Sequence, residues 1–344
     1  MRIEALARRI ELPILVTAAP NVRYLTGLRS SNAALLVEPE GSATLYSDFR
    51  YVEKARAIEG VSVVETSRDL FASLAELLSG RRLAFEEAHM SVASHRVLSE
   101  RTIELVPTTG LVEALRAVKD DLEVAAIRNA ASLSDEIFRA LAEEPFVGRT
   151  EQELVWWLER SFREAGAEAV SFVIVGAGTT AATPHADPGQ RVIEKGMFVT
   201  VDAGCVVDGY CSDCTRTFST GDPPQRLLDA YTVCLQAQLA GLGAVRPGVA
   251  GRDADAASRE PIEAAGLGWA YGHGLGHGVG IEVHEAPVLR PESKDVLEPG
   301  NVVTVEPGIY LPGEGGVRIE DLVLVTADGC ERLTQFPKEL ITVG

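Results

Sequence analysis

Residues 197–218 read MFVTVDAGCVVDGYCSDCTRTF, two largely apolar runs around a VVDG segment that predicts a tight β-hairpin. With a turn at residues 207 and 208, Asp202 and Asp213 lie directly opposite one another. With a turn one step later, they are diagonal neighbours on the same face. Two carboxylates on one face repel each other, at about 5 Å if they are directly opposed. The pair therefore indicates a compensating cation.

Two further acids lie in apolar runs, Glu306 in TVEPG and Glu320 in VRIED. Both are predicted to be carried by strands, where an uncompensated carboxylate is costly. Four carboxylates with one imidazole form an oxygen-rich ligand set, which suits divalent manganese, cobalt or iron better than structural zinc. The sequence therefore predicts a cation site.

A glycine-rich stretch, YGHGLGHGVGIEVHE at residues 271–285, contains three of the six histidines. His273 and His277 have the i, i+4 spacing of a helical metal site, but glycine at every second position from 272 to 280 disfavours a helix. In an extended segment the two rings share a face about 13 Å apart, so at most one of them binds a given ion. Glycine permits close approach, and the stretch is predicted to form a wall of a site that a ligand enters.

The composition is that of a globular protein, with 344 residues of which 46% are hydrophobic and 24% are charged. The net charge of −18 repels phosphate backbones and disfavours nucleic acid as a partner. No run of about twenty apolar residues predicts a membrane span, and the N-terminal MRIEALARRIELP is typical of an amphipathic helix rather than a signal peptide. A cytoplasmic protein without a membrane partner is expected.

Five cysteines, an odd number, argue against a disulfide framework. Cys211 and Cys214 form a C-x-x-C pair, but no second pair follows at zinc-ribbon spacing, so redox or zinc chemistry is disfavoured. Cys205 lies on the same hairpin. We interpret these three as small packing residues, with capture of a metal by a thiolate as the alternative.

The order of helix and strand patterns predicts two domains. Residues 1–118 alternate short apolar runs with helical patterns, as in a small α/β domain. Residues 119–344 begin with a long helix to about residue 142, and Thr150 with Glu153 has the spacing of a capping box that opens a second helix. Two later helices alternate with the strand-like runs FVIVGA, MFVTVDAGCVV, YCSDCTRTF, NVVTVEPGIYL and GVRIEDLVLVT.

The motifs VDAG, SDCTRT, HGLGHGVG, HE-P, VEPG and RIED occur in one order. This ordered set resembles the dinuclear metallopeptidases with the pita-bread fold, which include methionine aminopeptidase, aminopeptidase P and prolidase. The N-terminal PNVRYLTG and SDFRYVEKA resemble the creatinase-type domain of the proline-specific members. The resemblance implies an α/β chain in which that smaller N-terminal domain precedes a pita-bread catalytic domain.

The resemblance also implies roles for individual residues. The five metal ligands correspond to Asp202, Asp213, His277, Glu306 and Glu320. Glu306 is further expected to accept and pass a proton, while His185 and His284 stabilise the oxyanion or protonate the leaving nitrogen. His273 corresponds to a third pocket histidine and Arg318 to an arginine beside the ligands. Two divalent ions per chain are implied, manganese first, with cobalt, iron or zinc as alternatives.

The implied activity is hydrolysis of Xaa-Pro dipeptides, or of longer peptides in the aminopeptidase P alternative, by a homodimer. A dipeptidase must hold a free carboxylate, for which arginine is suited. Prolidases carry an arginine in the segment that reads HEAPVLRPESK here, at the position of Val288. Arg290, two residues on, shares a face with Val288 if the segment is extended; a solvated loop arginine is the other interpretation.

Three other functions remain open at this stage. A metal-free binding module and a creatine-hydrolysing relative are both disfavoured, because all five ligand positions are retained. Methionine aminopeptidase is disfavoured by the N-terminal domain. Metal analysis with peptide and creatine assays separates these alternatives.

Overall fold

A computed structural model describes residues 2–344. The chain forms two compact units, Met1–Arg116 and Ala117–Gly344. The boundary between them lies two residues before the one predicted from the sequence, which follows residue 118. Both units combine helices with sheets, so the α/β class expected from the sequence is confirmed.

The first unit is built on one six-stranded sheet with the order β4-β3-β2-β1-β5-β6. Its strands are β1 Ile14–Val16, β2 Ala33–Val37, β3 Ala43–Asp48, β4 Ser62–Thr66, β5 Arg82–Glu86 and β6 Glu104–Thr108. Its helices are α1 Arg2–Ala7, α2 Ala19–Thr26, α3 Val52–Arg56, α4 Leu70–Leu77, α5 Val92–Ser99 and α6 Glu113–Arg116. The predicted alternation of short apolar strands with helices is present, whereas α2, α5 and β6 are not anticipated from the sequence.

The core of the first unit explains the alternation of apolar runs. Leu15, Leu74, Leu83 and Leu98 belong to one buried cluster. They come from β1, α4, β5 and α5, so helices cover the sheet as expected when strands and helices alternate in the sequence.

The second unit contains four long helices: α7 Asp121–Ala142, α8 Glu151–Glu164, α9 Gln225–Ala244 and α10 Gly251–Ala264. The predicted capping box at Thr150 and Glu153 is formed, with reciprocal bonds between each side chain and the other residue's backbone N–H. Within residues 2–344, no helix combines the length and the apolar character that crossing a membrane requires.

The strands of the second unit form three sheets. The first contains β7 Ala169–Ala177, β8 Phe198–Val207, β9 Tyr210–Cys211 and β10 Cys214–Ser219. The second contains β11 Gly276–Gly278, β12 Glu285–Leu289, β13 Val302–Val305, β16 Asp321–Val325 and β17 Cys330–Arg332. The two-stranded third sheet pairs β14 Gly308–Leu311 with β15 Gly315–Arg318. Short 3₁₀ helices lie at Gly178–Ala182 and Gly268–Ala270.

The hairpin of residues 197–218 adopts the second of its two predicted registers, in which the turn lies one residue later. Val207 pairs with Tyr210, so the turn residues are Asp208 and Gly209, whose φ angles are 50° and 84°. Positive φ at both positions is characteristic of a type I′ turn, which matches strand twist. Asp202 consequently pairs with Thr215 rather than with an aspartate.

Three predicted strands are interrupted where they carry an acid. Asp213 lies between β9 and β10, Glu306 directly follows β13, and Glu320 lies between β15 and β16. The prediction that Glu306 and Glu320 are strand-borne is therefore wrong. Proline at position 307 has no N–H for a ladder, which is consistent with the break beside Glu306.

Candidate functional site

A cavity of about 850 Å³ lies in the second unit, within the range of small-molecule sites. Ten residues singled out from the sequence line it: His185, Asp202, Asp213, His273, His277, His284, Arg290, Glu306, Arg318 and Glu320. They come from positions spread over more than a hundred residues of sequence, and the fold brings all of them to one space.

The tightest cluster in this cavity consists of Asp213, His277 and Glu320, whose ligand atoms lie within 4.8 Å of one another. The Nε2 atom of His277 is 3.7 Å from Asp213 Oδ2 and 3.2 Å from Glu306 Oε1. Its Nδ1 lies 3.1 Å from the Gly278 carbonyl oxygen, which can only accept, so Nδ1 carries the proton. The Nε2 atom is therefore the one directed at the acids.

Burial and mutual repulsion shift the pKa values of these carboxylates. Burial raises the pKa of Asp213 well above its ordinary value, and the charges of Glu320 and Asp202 raise it further. Burial likewise raises the pKa of Glu320, with the charges of Glu306 and Asp202 acting in the same direction. Burial favours neutral Glu306 as well, but the hydrogen bond from Nε2–H of a doubly protonated His277 and the nearby positive charges outweigh burial and lower the pKa of Glu306 to about 2.

These residues fit a divalent cation. One oxygen of Asp202, Oδ1, is buried without a hydrogen-bond partner. Ionised Asp213 and Glu320 need a neighbouring positive charge, and four carboxylates with one imidazole are ligands that hard and borderline divalent ions accept. The cluster accordingly suits the metal chemistry predicted from the sequence.

Arg318 holds one side of the cluster. Its Nη2 donates to Asp202 Oδ2 at 2.5 Å, and its Nε donates to Thr215 Oγ1 at 3.1 Å. The Thr215 hydroxyl in turn donates to Glu320 Oε2 at 2.7 Å. A single guanidinium thus orients Asp202 directly and Glu320 through Thr215, as expected of a group that fixes ligand geometry.

The backbone beside Glu320 is held from the opposite side by Arg216, which is fully buried. Its Nη1 donates to the Glu320 carbonyl oxygen, and its Nη2 donates to Asp321 Oδ1 at 2.8 Å. The interrupted segment between β15 and β16 is therefore anchored by a buried ion pair.

His273 lines the cavity with both ring nitrogens already in use. Its Nδ1 lies 2.8 Å from the Gly274 carbonyl oxygen and its Nε2 lies 2.9 Å from the Tyr310 hydroxyl. Because the carbonyl can only accept, Nδ1 is the donor and Nε2 accepts from Tyr310, whose oxygen accepts from Arg318 at 3.0 Å. His273 therefore presents its ring, and no free nitrogen, to the cavity.

The other two histidines are exposed at the cavity. The ring of His284 lies 4.1 Å from that of His277, centroid to centroid, at an interplanar angle of 49°. His185 lies shortly after the 3₁₀ helix Gly178–Ala182. Their exposed position leaves both rings accessible to a ligand.

Arg290 and Val288 both line the cavity, although Arg290 directly follows β12 instead of continuing it. Val288 pairs across β11 and β12 with His277, which places it close to the cluster of Asp213, His277 and Glu320. The Arg290 residue is exposed. An apolar wall that the sequence analysis left unidentified consists of Phe172, Ile174, Trp269, Val283, Val288 and Pro312.

Several glycines of residues 271–285 are required by the close packing of neighbouring backbone. A Cβ at Gly276 would lie 2.1 Å from the Thr304 carbonyl oxygen, and one at Gly278 would lie 2.2 Å from that of Ala286. Gly274 is crowded by the Leu289 carbonyl oxygen at 2.6 Å. The stretch does border the cavity, but the close approach that requires glycine comes from neighbouring backbone.

The cysteines are free thiols and, within residues 2–344, none lines the cavity. Cys205 Sγ is 3.5 Å from the Ser212 hydroxyl, and burial raises the pKa of this thiol. Burial also raises the pKa of the Cys214 thiol well above its ordinary value. The packing interpretation of these residues is consistent with their positions.

Sequence reasoning did not identify Thr215 or Tyr310. Thr215 lies two residues after Asp213, so strand alternation could have placed it on the same face. No local signal distinguishes Tyr310 from an ordinary strand tyrosine, because its hydrogen bonds to His273 and Arg318 depend on distant parts of the chain.

Comparison with known proteins gives a consistent result. The profile described as "Metallopeptidase family M24" matches residues 125–327, and that of the "Creatinase/Prolidase N-terminal domain" matches residues 12–118. The "Uncharacterized peptidase YqhT" of Bacillus subtilis is 40% identical over 335 residues, which are 95% of each chain.

Solved structures are similar over the whole chain. An Xaa-Pro dipeptidase from Bacillus anthracis has a TM-score of 0.95 at 39% identity, covering 99% of both chains. A prolidase from Pyrococcus horikoshii has a TM-score of 0.94 at 31% identity, again over 99% of both. An X-Pro aminopeptidase from Thermotoga maritima has a TM-score of 0.88 at 32% identity, covering 98% of this chain and 99% of the other.

Proposed function

The chain belongs to metallopeptidase family M24, and we propose that within this family it is an Xaa-Pro dipeptidase. It is a hydrolase with the pita-bread fold, so the open question is which peptides it cuts. The proposal rests chiefly on Arg290, which lines the same cavity as the acids and is exposed to a ligand there. A guanidinium at that place is suited to hold the carboxylate that ends a dipeptide directly after proline.

The proposed metal site consists of Asp202, Asp213, His277, Glu306 and Glu320, with two divalent ions per chain. Bound ions supply Lewis-acid polarisation and lower the pKa of water towards neutrality. Manganese is the proposed ion, and a cytoplasmic homodimer is the proposed state of the protein; these remain predictions from the family resemblance.

The residues around the ions would then share the proton transfers. Glu306 is proposed to accept a proton from the attacking water and to pass it on. His284 and His185, exposed at the cavity, are proposed to donate to the developing oxyanion or to the leaving nitrogen. His273 has no free nitrogen to donate and contributes a ring face to the wall.

An Xaa-Pro bond lacks an N–H and carries a rigid ring, so recognition depends on shape and apolar contact. Phe172, Ile174 and Val288 offer such a surface beside the ligand cluster. The aromatic and aliphatic wall therefore suits the pyrrolidine ring, while Arg290 suits the carboxylate attached to it.

Aminopeptidase P activity on longer peptides is the alternative. The cavity volume of about 850 Å³ is near the upper end for small-molecule sites and is large for a dipeptide. The similarity to an X-Pro aminopeptidase structure points in the same direction.

Comparing kcat/KM for Ala-Pro, Ala-Pro-amide and Ala-Pro-Ala decides between the two. We expect Ala-Pro to be preferred and Arg290→Ala to reduce its kcat/KM by about 10- to 100-fold, the effect of losing a hydrogen bond to a charged group. Arg252→Ala, at an exposed arginine of α10 outside the cavity lining, is the matched control. If the amide and tripeptide are cut equally well and Arg290→Ala changes nothing, aminopeptidase P is the better assignment.

A further inference from the structure

The segment from Tyr271 to Leu275 bends at His273 and Leu275 and belongs to no strand, since β11 begins only at Gly276. It carries His273 and leads directly to the ligand His277. Two of its five residues are glycine, while Tyr271 and Leu275 are buried in two separate hydrophobic clusters. Its position must therefore be determined by contacts with other elements.

Three hydrogen bonds to the segment's backbone come from one pair of residues on α10. Arg259 Nη1 donates to the Tyr271 carbonyl oxygen at 3.1 Å, and Nη2 donates to that of His273 at 2.9 Å. The Leu275 N–H donates to Asp255 Oδ1 at 2.9 Å. The bonded groups belong to alternate residues, 271, 273 and 275, and the helix thereby satisfies backbone groups of a segment that lies outside any strand.

The pair is itself rigid. Arg259 and Asp255 stand at i and i−4 on the helix and are joined by two hydrogen bonds of 2.9 Å. Their side chains are 18% and 2% exposed, so solvent screens this pair less than a surface one. The guanidinium carbon also lies 4.1 Å from the centroid of the Tyr271 ring, a cation–π contact.

Two sets of contacts connect this restrained segment to the proposed reaction centre. The Tyr271 ring packs edge-on against His273 at 5.2 Å, and His273 is bonded to Tyr310. In addition, the Leu275 carbonyl oxygen accepts from the Glu306 N–H at 2.8 Å. Leu275 is thus bonded to α10 through its N–H and to Glu306 through its C=O.

We propose that Asp255 and Arg259 are positioning residues, which hold the backbone of residues 271–275 and thereby set the location of His273 and Glu306. Neither residue lines the cavity, so they act through the backbone and touch no substrate. The expected effect on catalysis rests on the proposed function. The restraint of residues 271–275 does not depend on it.

Hydrogen exchange at the Leu275 amide tests the structural part directly. In Arg259→Met, which keeps an apolar stem and removes all four donated hydrogen bonds, we expect exchange to accelerate at least about tenfold, while amides of α8 are unchanged. Arg252→Met is the control, because Arg252 is 62% exposed on the same helix. Arg259→Lys, which keeps the charge but not the fork, should lie between Arg259→Met and the wild type.

Kinetics with Ala-Pro test the catalytic part. In Arg259→Met we expect kcat to fall by about 10- to 100-fold, because Glu306 would be displaced. Arg259→Lys should lose less activity than Arg259→Met, and the control Arg252→Met should keep the kcat of the wild type. Should Arg259→Met not fold, Asp255→Asn and Arg259→Lys provide the same comparison. Exchange and kcat within twofold of wild type in these variants would overturn the proposal. A wild type inactive on Ala-Pro would refute the dipeptidase assignment, and the exchange data alone would then decide the positioning role.

Discussion

Arg318 Nη2 lies 2.5 Å from Asp202 Oδ2, while the second oxygen of the same carboxylate is buried without a hydrogen-bond partner. One oxygen is therefore held by a guanidinium and the other is left for a different positive charge. This division is the arrangement expected when an outer arginine orients a ligand towards a metal ion.

Replacement of Arg318 by lysine should weaken the site even though the charge is kept. A lysine cannot donate to Asp202, Thr215 and Tyr310 simultaneously as the planar fork does. We expect metal affinity or kcat/KM to fall by about 10- to 100-fold. Ion titration and kinetics measure both, with Arg226→Lys, at an exposed pair with Glu314, as the control. Equal values in both variants and the wild type would contradict this role.

Chelation should abolish activity and lower the melting temperature. Removing the ions leaves Asp213 and Glu320 buried beside each other, and also removes the stabilisation by ligand, about 2.7 kcal/mol at an ion concentration one hundred times Kd. Calorimetry with and without EDTA measures the shift, and adding manganese should reverse it. In a double variant, Asp213→Asn with Glu320→Gln, the shift should largely disappear. Elemental analysis without stoichiometric metal, together with EDTA-insensitive activity, would exclude the site.

Glu306→Gln keeps the shape of the side chain and removes its basicity. If Glu306 transfers the proton, kcat and kcat/KM should fall together by about 10²- to 10⁴-fold. Because Glu306 is also a proposed ligand, ion content must be measured in the same samples. Glu298→Gln, at an exposed glutamate, serves as the control. A kcat close to that of the wild type would rule out Glu306 as the proton acceptor.

Gly276→Ala tests the backbone crowding of the glycine-rich stretch. The new Cβ would meet the Thr304 carbonyl oxygen at 2.1 Å, and a backbone oxygen in a strand cannot move aside cheaply. We expect the free energy of unfolding to fall by at least about 2 kcal/mol, measured by urea titration. Gly272→Ala is the matched control, since no atom lies within 4 Å of its Cβ, and should change stability by less than about 0.5 kcal/mol. Similar losses in both variants would refute the explanation.

The local patterns of the sequence predicted much of the second unit correctly. The capping box of Thr150 and Glu153 and the end of α7 near residue 142 follow from neighbouring residues, because caps and helical periodicity involve contacts within a few positions. The hairpin was predicted in two registers. The choice between them depended on Asp208 and Gly209 both adopting positive φ.

A cation site was predictable because several acids stand in largely apolar runs, where an ionised group needs compensation, whereas the proposed set of five ligands followed from the family resemblance. The sequence could not reveal that three of these runs are interrupted at the acid, since strand pairing depends on partners far along the chain. The contacts of Tyr310 could not be predicted for the same reason. They join Tyr310 to His273, 37 positions away, and to Arg318, 8 positions away.

By itself, then, the sequence indicated which residue types need a cation and where the long helices of the second unit lie, because burial cost and periodicity are local properties. Tertiary structure alone decided how the glycine-rich segment is held, through Asp255 and Arg259 on α10. Those hydrogen bonds go to backbone groups, which every residue possesses. The pattern of side chains in the sequence therefore cannot predict these hydrogen bonds, which form only when the helix and the segment pack together.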